Sequence, residues 1–174
     1  LALQSEANQT ASKTFEALTN VDMDFGEVET DEGRRPLTQS TWSAFMINPN
    51  RELREKVYNQ FYSVFENHRN TLSALYGGNV HLDKYRSQIR NFESSRAAAL
   101  FPDNVPMDVY DNLIATISKN LPLLHDYYEI KREALGLDQL KHYDVYVPFI
   151  SDIHVTHTYE EAVDVVIAGV APLG

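Results

Sequence analysis

The 174-residue chain has no cysteine. Disulfides, thiolate metal sites and cysteine nucleophiles are therefore excluded, which fits a reducing compartment, and a cytoplasmic location is expected. No stretch approaches the roughly 18 apolar residues that cross a bilayer, and no charged-then-apolar leader opens the chain, so no membrane role is expected. Basic charge is scarce as well: 15 Lys and Arg stand against 25 Asp and Glu, a net charge of −10. An acidic surface repels phosphate backbones, and nucleic acid is a poor partner for it. The seven glycines are scattered, so no glycine-rich phosphate loop exists, and neither G-x-S-x-G nor H-E-x-x-H occurs.

What the chain does have is helical periodicity. Leu3, Ala7, Ala11, Phe15 and Leu18 read as a helix end over residues 1–20. Val21, Met23 and Phe25 then alternate with Asp22 and Asp24. With turn chemistry at Thr30-Asp31-Glu32-Gly33 and a return through Leu37-Thr38, this predicts a β-hairpin over 21–41. From Asn50, a helix-capping residue, the apolar stripe Leu53, Val57, Phe61, Val64, Phe65, His68, Leu72 and Leu75 opens a long helical stretch over 50–93. Gly77-Gly78 reads there as a break or as a close approach of another backbone.

Residues 106–136 read as helices, with Pro106 in the first turn, an interruption or kink at Pro122, and Gly136 in the left-handed position that ends them. Residues 143–157 read as a short extended stretch. Thr158 and Glu161 form a capping box for a last helix over 158–171. The fold class expected is mainly α, one helical segment with an embedded β-hairpin, cut at both ends. Such a piece should expose an apolar face or self-associate.

The one constellation that suggests chemistry is His154-Val155-Thr156-His157 followed by Glu160 and Glu161. Two imidazoles and a carboxylate can hold zinc if they converge. In an extended stretch, however, residues i and i+3 point to opposite faces, so surface histidines are the expected reading and no metal site is assigned. His68 reads as a core or boundary histidine, and His81, His125 and His142 have no triad companions. Tyr127, Tyr128, Tyr143 and Tyr146 could line a groove, but packing between helices is the default. No residue is assigned a catalytic, cofactor-binding or metal-binding role.

Several stretches form an ordered pattern along the chain. They are Ala98-Ala99-Leu100-Phe101-Pro102-Asp103-Asn104-Val105-Pro106, Val109-Tyr110-Asp111-Asn112-Leu113-Ile114, Asn120-Leu121-Pro122-Leu123-Leu124-His125 and Leu135-Gly136-Leu137-Asp138. Tyr143-Asp144-Val145-Tyr146-Val147-Pro148 and the run from Thr158-Tyr159-Glu160-Glu161-Ala162 to Ala171-Pro172-Leu173-Gly174 continue the pattern. Ser12-Lys13-Thr14-Phe15, Asp22 to Phe25, and Arg51/Arg54 extend it towards the N-terminus.

Together these stretches resemble the oligoendopeptidase F branch of the thimet-oligopeptidase-like metallopeptidases, and the resemblance implies part of a larger, channel-enclosing zinc endopeptidase that cleaves oligopeptides. It also implies that the H-E-x-x-H helix and the later glutamate ligand lie downstream of Gly174. This segment would then be channel wall and support, partnered by the remaining catalytic region and inactive alone. The competing expectation is a helical interaction or scaffold module with no catalytic parent.

Overall fold

A computed structural model describes residues 7–31, 33–150 and 156–173. The fold is mainly α, and among the described residues it contains one two-stranded antiparallel hairpin. The helices are α1 (Thr10–Ala17), α2 (Gln39–Met46), α3 (Arg51–Asn67), α4 (Arg69–Ile89), α5 (Ser95–Leu100), α6 (Met107–Ala134) and α7 (Tyr159–Val170); the strands are β1 (Glu27–Thr30) and β2 (Gly33–Pro36). None of the described helices is long and apolar enough to cross a membrane.

The hairpin lies within the expected range but not on the expected residues. Leu18–Asp22 continues α1 as a π-helical turn, in which Met23 donates its N–H to the Leu18 carbonyl at 2.9 Å. The Thr19 hydroxyl donates to the Phe15 carbonyl at 2.8 Å, a side-chain bond that competes with the helix ladder where it widens. Val21 is thereby turned out, 78% exposed, while Met23 and Phe25 are buried in the irregular segment that follows. Strand pairing begins only at Glu27, opposite Pro36, and sets Glu29 against Arg34. Gly33 takes φ +110°, as the turn requires.

Leu37-Thr38 is likewise no return strand. Thr38 caps α2, a helix the hydrophobic period did not reveal. Its hydroxyl accepts the Thr41 N–H at 3.1 Å, and its own N–H donates to the Thr41 hydroxyl at 2.8 Å.

The long helical stretch breaks at His68, not at Gly77-Gly78. His68 has φ −104° and ψ 11°, and its Nδ1 donates to the Val64 carbonyl at 2.8 Å, holding the ring over the last turn of α3. Gly77 and Gly78 lie inside α4, and a Cβ at either would meet nothing within 4 Å, so no other backbone among the described residues packs against them.

Pro122 does not end a helix either: α6 runs unbroken for 28 residues. By the 3.6-residue period Pro122 shares a face with Ser118, Lys119 and Asp126, all exposed, so water can serve the carbonyl its missing N–H abandons. Gly136, at φ +65°, closes α6 in a Schellman motif, with Leu137 N–H on the Arg132 carbonyl and Gly136 N–H on that of Glu133.

The expected extended stretch over 143–157 is also corrected in its first part. His142–Asp144 is a 3-10 turn, and Tyr143, Asp144 and Val147 are buried. Residues 151–155, His154 among them, lie outside the described residues. The Thr158/Glu161 capping box is present, with Thr158 N–H on Glu161 Oε2 at 2.8 Å and Glu161 N–H on the Thr158 hydroxyl at 3.3 Å.

The core forms where the hairpin and its flanks meet α2 and α3. It gathers Met23, Phe25, Val28, Leu37, Phe45, Met46, Val57 and Phe61, with Tyr143 joining from the far side. Phe25 stacks on Phe61 at 4.6 Å between centroids. The α3 face that makes this core follows from its spacing: Asn50 caps the helix through the Leu53 N–H, and Leu53, Val57 and Phe61 then recur every four residues.

Candidate functional site

The most heavily constructed polar site is the junction at the N-terminus of α3. Arg51 and Arg54 occupy its first turns, where the partial positive charge of the helix end disfavours cations. They stay because acceptors converge on them. Arg54 is 3% exposed; its Nη1 donates to the carbonyls of Asn48 (2.7 Å) and Pro49 (3.0 Å), its Nε to that of Tyr143 (2.9 Å), and its Nη2 to Asp144 Oδ1 (2.8 Å). Arg51 forks onto the same carboxylate through Nε and Nη2, at 3.1 and 3.0 Å, and lies over the Tyr143 ring.

Asp144 is fully buried and also accepts the Lys141 backbone N–H at 3.0 Å. Burial pushes its carboxyl up, but the hydrogen bonds from Arg51, Lys141 and Arg54 outweigh that and hold it below the usual carboxylate value. Tyr143 is raised, first by burial and then by its hydrogen bond to Glu55.

A third cation approaches from α6. Lys131 is 3% exposed, donates Nζ to the Val145 carbonyl at 2.6 Å, and sits 5.5 Å from the Phe149 ring centre. Burial and the nearby Arg54 lower its pKa, and Asp144 offsets them only in part. Residues 141–149 thus form a strap that ties the C-terminal end of α6 to the head of α3. Tyr146 on the strap meets Trp42 of α2 edge-on at 5.3 Å.

Chemically, this junction is closed. The Asp144 oxygens are filled by guanidinium and backbone donors, leaving no lone pair for a metal ion or a substrate proton. It holds structure together. The sequence reading missed it, although two signals were present: paired arginines at a helix start, and one aspartate inside the apolar run Tyr143-Asp144-Val145.

The described residues among those singled out from sequence are not brought together into a metal-binding group. His157 is exposed ahead of α7, and the Glu161 carboxylate is engaged by the Thr158 N–H. Among the described residues, no group of three or more His, Asp and Glu side chains is placed to hold a metal ion. His81, His125 and His142 are exposed, and His68 is half-buried on the Val64 carbonyl. The four tyrosines split into two groups: Tyr143 and Tyr146 pack at the strap, and Tyr127 and Tyr128 pair on α6.

Comparison with known proteins places this mainly helical chain in a family. Residues 44–168 match the peptidase family M3 model. The chain is 36% identical, over its whole length, to oligopeptidase PepF of Bacillus subtilis, and covers 26% of that protein. It is also 36% identical to an oligoendopeptidase F homolog of Borreliella burgdorferi, over 92% of this chain and 26% of that one. The crystal structure of oligoendopeptidase-F from Enterococcus faecium superposes with a TM-score of 0.84 at 30% identity, over 98% of this chain and 32% of that one. The chain spans about a quarter of the length of the curated relatives it matches. It belongs to peptidase family M3.

Proposed function

We infer that this chain is a structural segment of a zinc-dependent oligopeptidase, and that it supplies walls and supports for a catalytic centre built by other residues of the parent. The match to the M3 family model over residues 44–168 carries this reading. The parent would hydrolyse short peptides in the cytoplasm, its partners being oligopeptide substrates and the remaining catalytic region of the same polypeptide. Zinc would polarise the scissile carbonyl and activate a water there.

The described residues of this chain do not fit a zinc site. No group of three or more His, Asp or Glu side chains among them is placed to hold a metal ion, and Glu161 is committed to its capping box. The segment is therefore expected to be inactive alone.

The test is to read the reading frame beyond Gly174 and analyse the metal content of its full product and of the 174-residue chain. The expected result is an H-E-x-x-H further on, stoichiometric zinc in the full product and none in the segment. Tight zinc binding by the segment, abolished in His154→Ala and His157→Ala, would overturn the assignment.

A further inference from the structure

The longest helix leaves its most apolar face open. Along α6, Tyr110, Leu113, Ile117, Leu121, Leu124 and Lys131 recur every three, four or seven residues and so share one face. The two ends of this stripe are engaged. Arg96 lies 5.4 Å over the Tyr110 ring and pairs with Asp111 at 2.6 Å, while Lys131 is buried against the strap. Between these supports, Leu113 (55%), Ile117 (54%), Leu121 (39%) and Leu124 (44%) are bare. Contiguous aliphatic exposure of this kind marks an interface rather than a solvent face. The gap runs roughly 17 Å along the helix from Leu113 to Leu124, long enough to seat an extended element such as another helix.

We propose that this stripe is the seat of an aliphatic element from the part of the polypeptide outside these 174 residues. The proposal rests on the reading that the parent is a longer M3 peptidase. Two observations select this occupant. The curated relatives are about four times as long as the chain. In the Enterococcus faecium protein, moreover, 98% of this chain superposes within a polypeptide of which it covers only 32%. Helix α6 thus keeps its course where much more chain is present to cover it. The opposite face of α6 bears Asp108, Lys119 and Asp126, and its exposed apolar residues, Leu123 and Ile130, form no unbroken stripe.

The chain has no cysteine, so single cysteines report accessibility at chosen sites. Ile117→Cys and, separately, Lys119→Cys are placed in the 174-residue chain and in the full product of its reading frame. Maleimide labelling at each site is followed by peptide mass mapping, and peptide hydrolysis by the full product is measured in parallel. Cys at 117 should label rapidly in the segment and at least ~50-fold more slowly in the full product, the protection that a docked element gives. Cys at 119 should label rapidly in both.

Rapid labelling at 117 in a full product that still cleaves peptides would sink the docking proposal and leave the peptidase reading intact. Protection that appears in the segment itself and grows with its concentration would make a second copy the occupant, and would equally overturn it. A full product without peptidase activity would count against the parent reading, which the labelling ratio does not address.

Discussion

Arg54 and Asp144, 90 residues apart in sequence, are joined by a 2.8 Å ion pair in which both side chains are buried. This pair turns a helix start and a distant strap into one unit. Removing water from two charges is costly, and the cost is recovered only because Arg51, the Lys141 N–H and three backbone carbonyls complete the network.

Asp144→Ala should therefore cost more than an ordinary contact. It leaves Arg54 charged, buried and short of its carboxylate, a loss of about 3–5 kcal/mol. Urea unfolding followed by Trp42, the sole tryptophan and a neighbour of Tyr146 on the strap, gives the measurement. The double variant Arg54→Met/Asp144→Leu should recover most of the loss, because no unpaired charge then remains.

The pH dependence has a definite sign. Asp144 is held below its ordinary value of 3.8 in the folded chain, so the folded state binds that proton less readily than the unfolded state does. Its stabilisation is complete above the unfolded value and disappears as pH falls from there through the depressed folded value. Urea midpoints taken across that acid window should drop for the wild-type chain. The part of the drop that belongs to this carboxyl should be missing in Asp144→Asn.

Lys131 works in the opposite sense. Burial first, and then Arg54, lower its pKa below 10.5, so burying the ammonium is unfavourable at neutral pH. Stability should rise with pH over the window that ends near 10.5, as the folded state releases the proton first. Lys131→Met should lack this rise. At neutral pH it should change stability by no more than about 1 kcal/mol, the lost Val145 contact offsetting the relieved desolvation.

Glycine replacements separate two environments. Gly77→Ala and Gly78→Ala lie within α4 with open space at the Cβ and should each stabilise by about 0.5–1 kcal/mol. Gly136→Ala should destabilise, since φ +65° disfavours any side chain. Thermal melts of the three variants provide the comparison.

The elements set by local chemistry were legible in the sequence. Asn50 at α3, Gly136 at the end of α6 and the Thr158/Glu161 box at α7 each state their role within three residues. The hairpin was legible as a turn at Gly33 but not in its register. Met23 and Phe25 are buried after a π turn that leaves Val21 exposed, and none of the three takes part in strand pairing.

The break at His68 was hidden because a ring-to-carbonyl bond made it, whereas two glycines nearby looked like better breakers. Pro122 was misleading for a similar reason: a helix tolerates proline on a face open to water. The paired arginines and the lone aspartate of the junction stood out locally, but their pairing with each other could not be read. That pairing depends on the whole course of α4, α5 and α6 between them.

Peptide hydrolysis tests the central claim most directly. With zinc supplied, a quenched fluorescent oligopeptide is offered in turn to the purified 174-residue chain and to the full product of its reading frame. The account predicts turnover by the full product, lost on chelation, and none above background by the segment. Zinc-dependent turnover by the segment alone, or its absence from a folded, zinc-loaded full product, would contradict it.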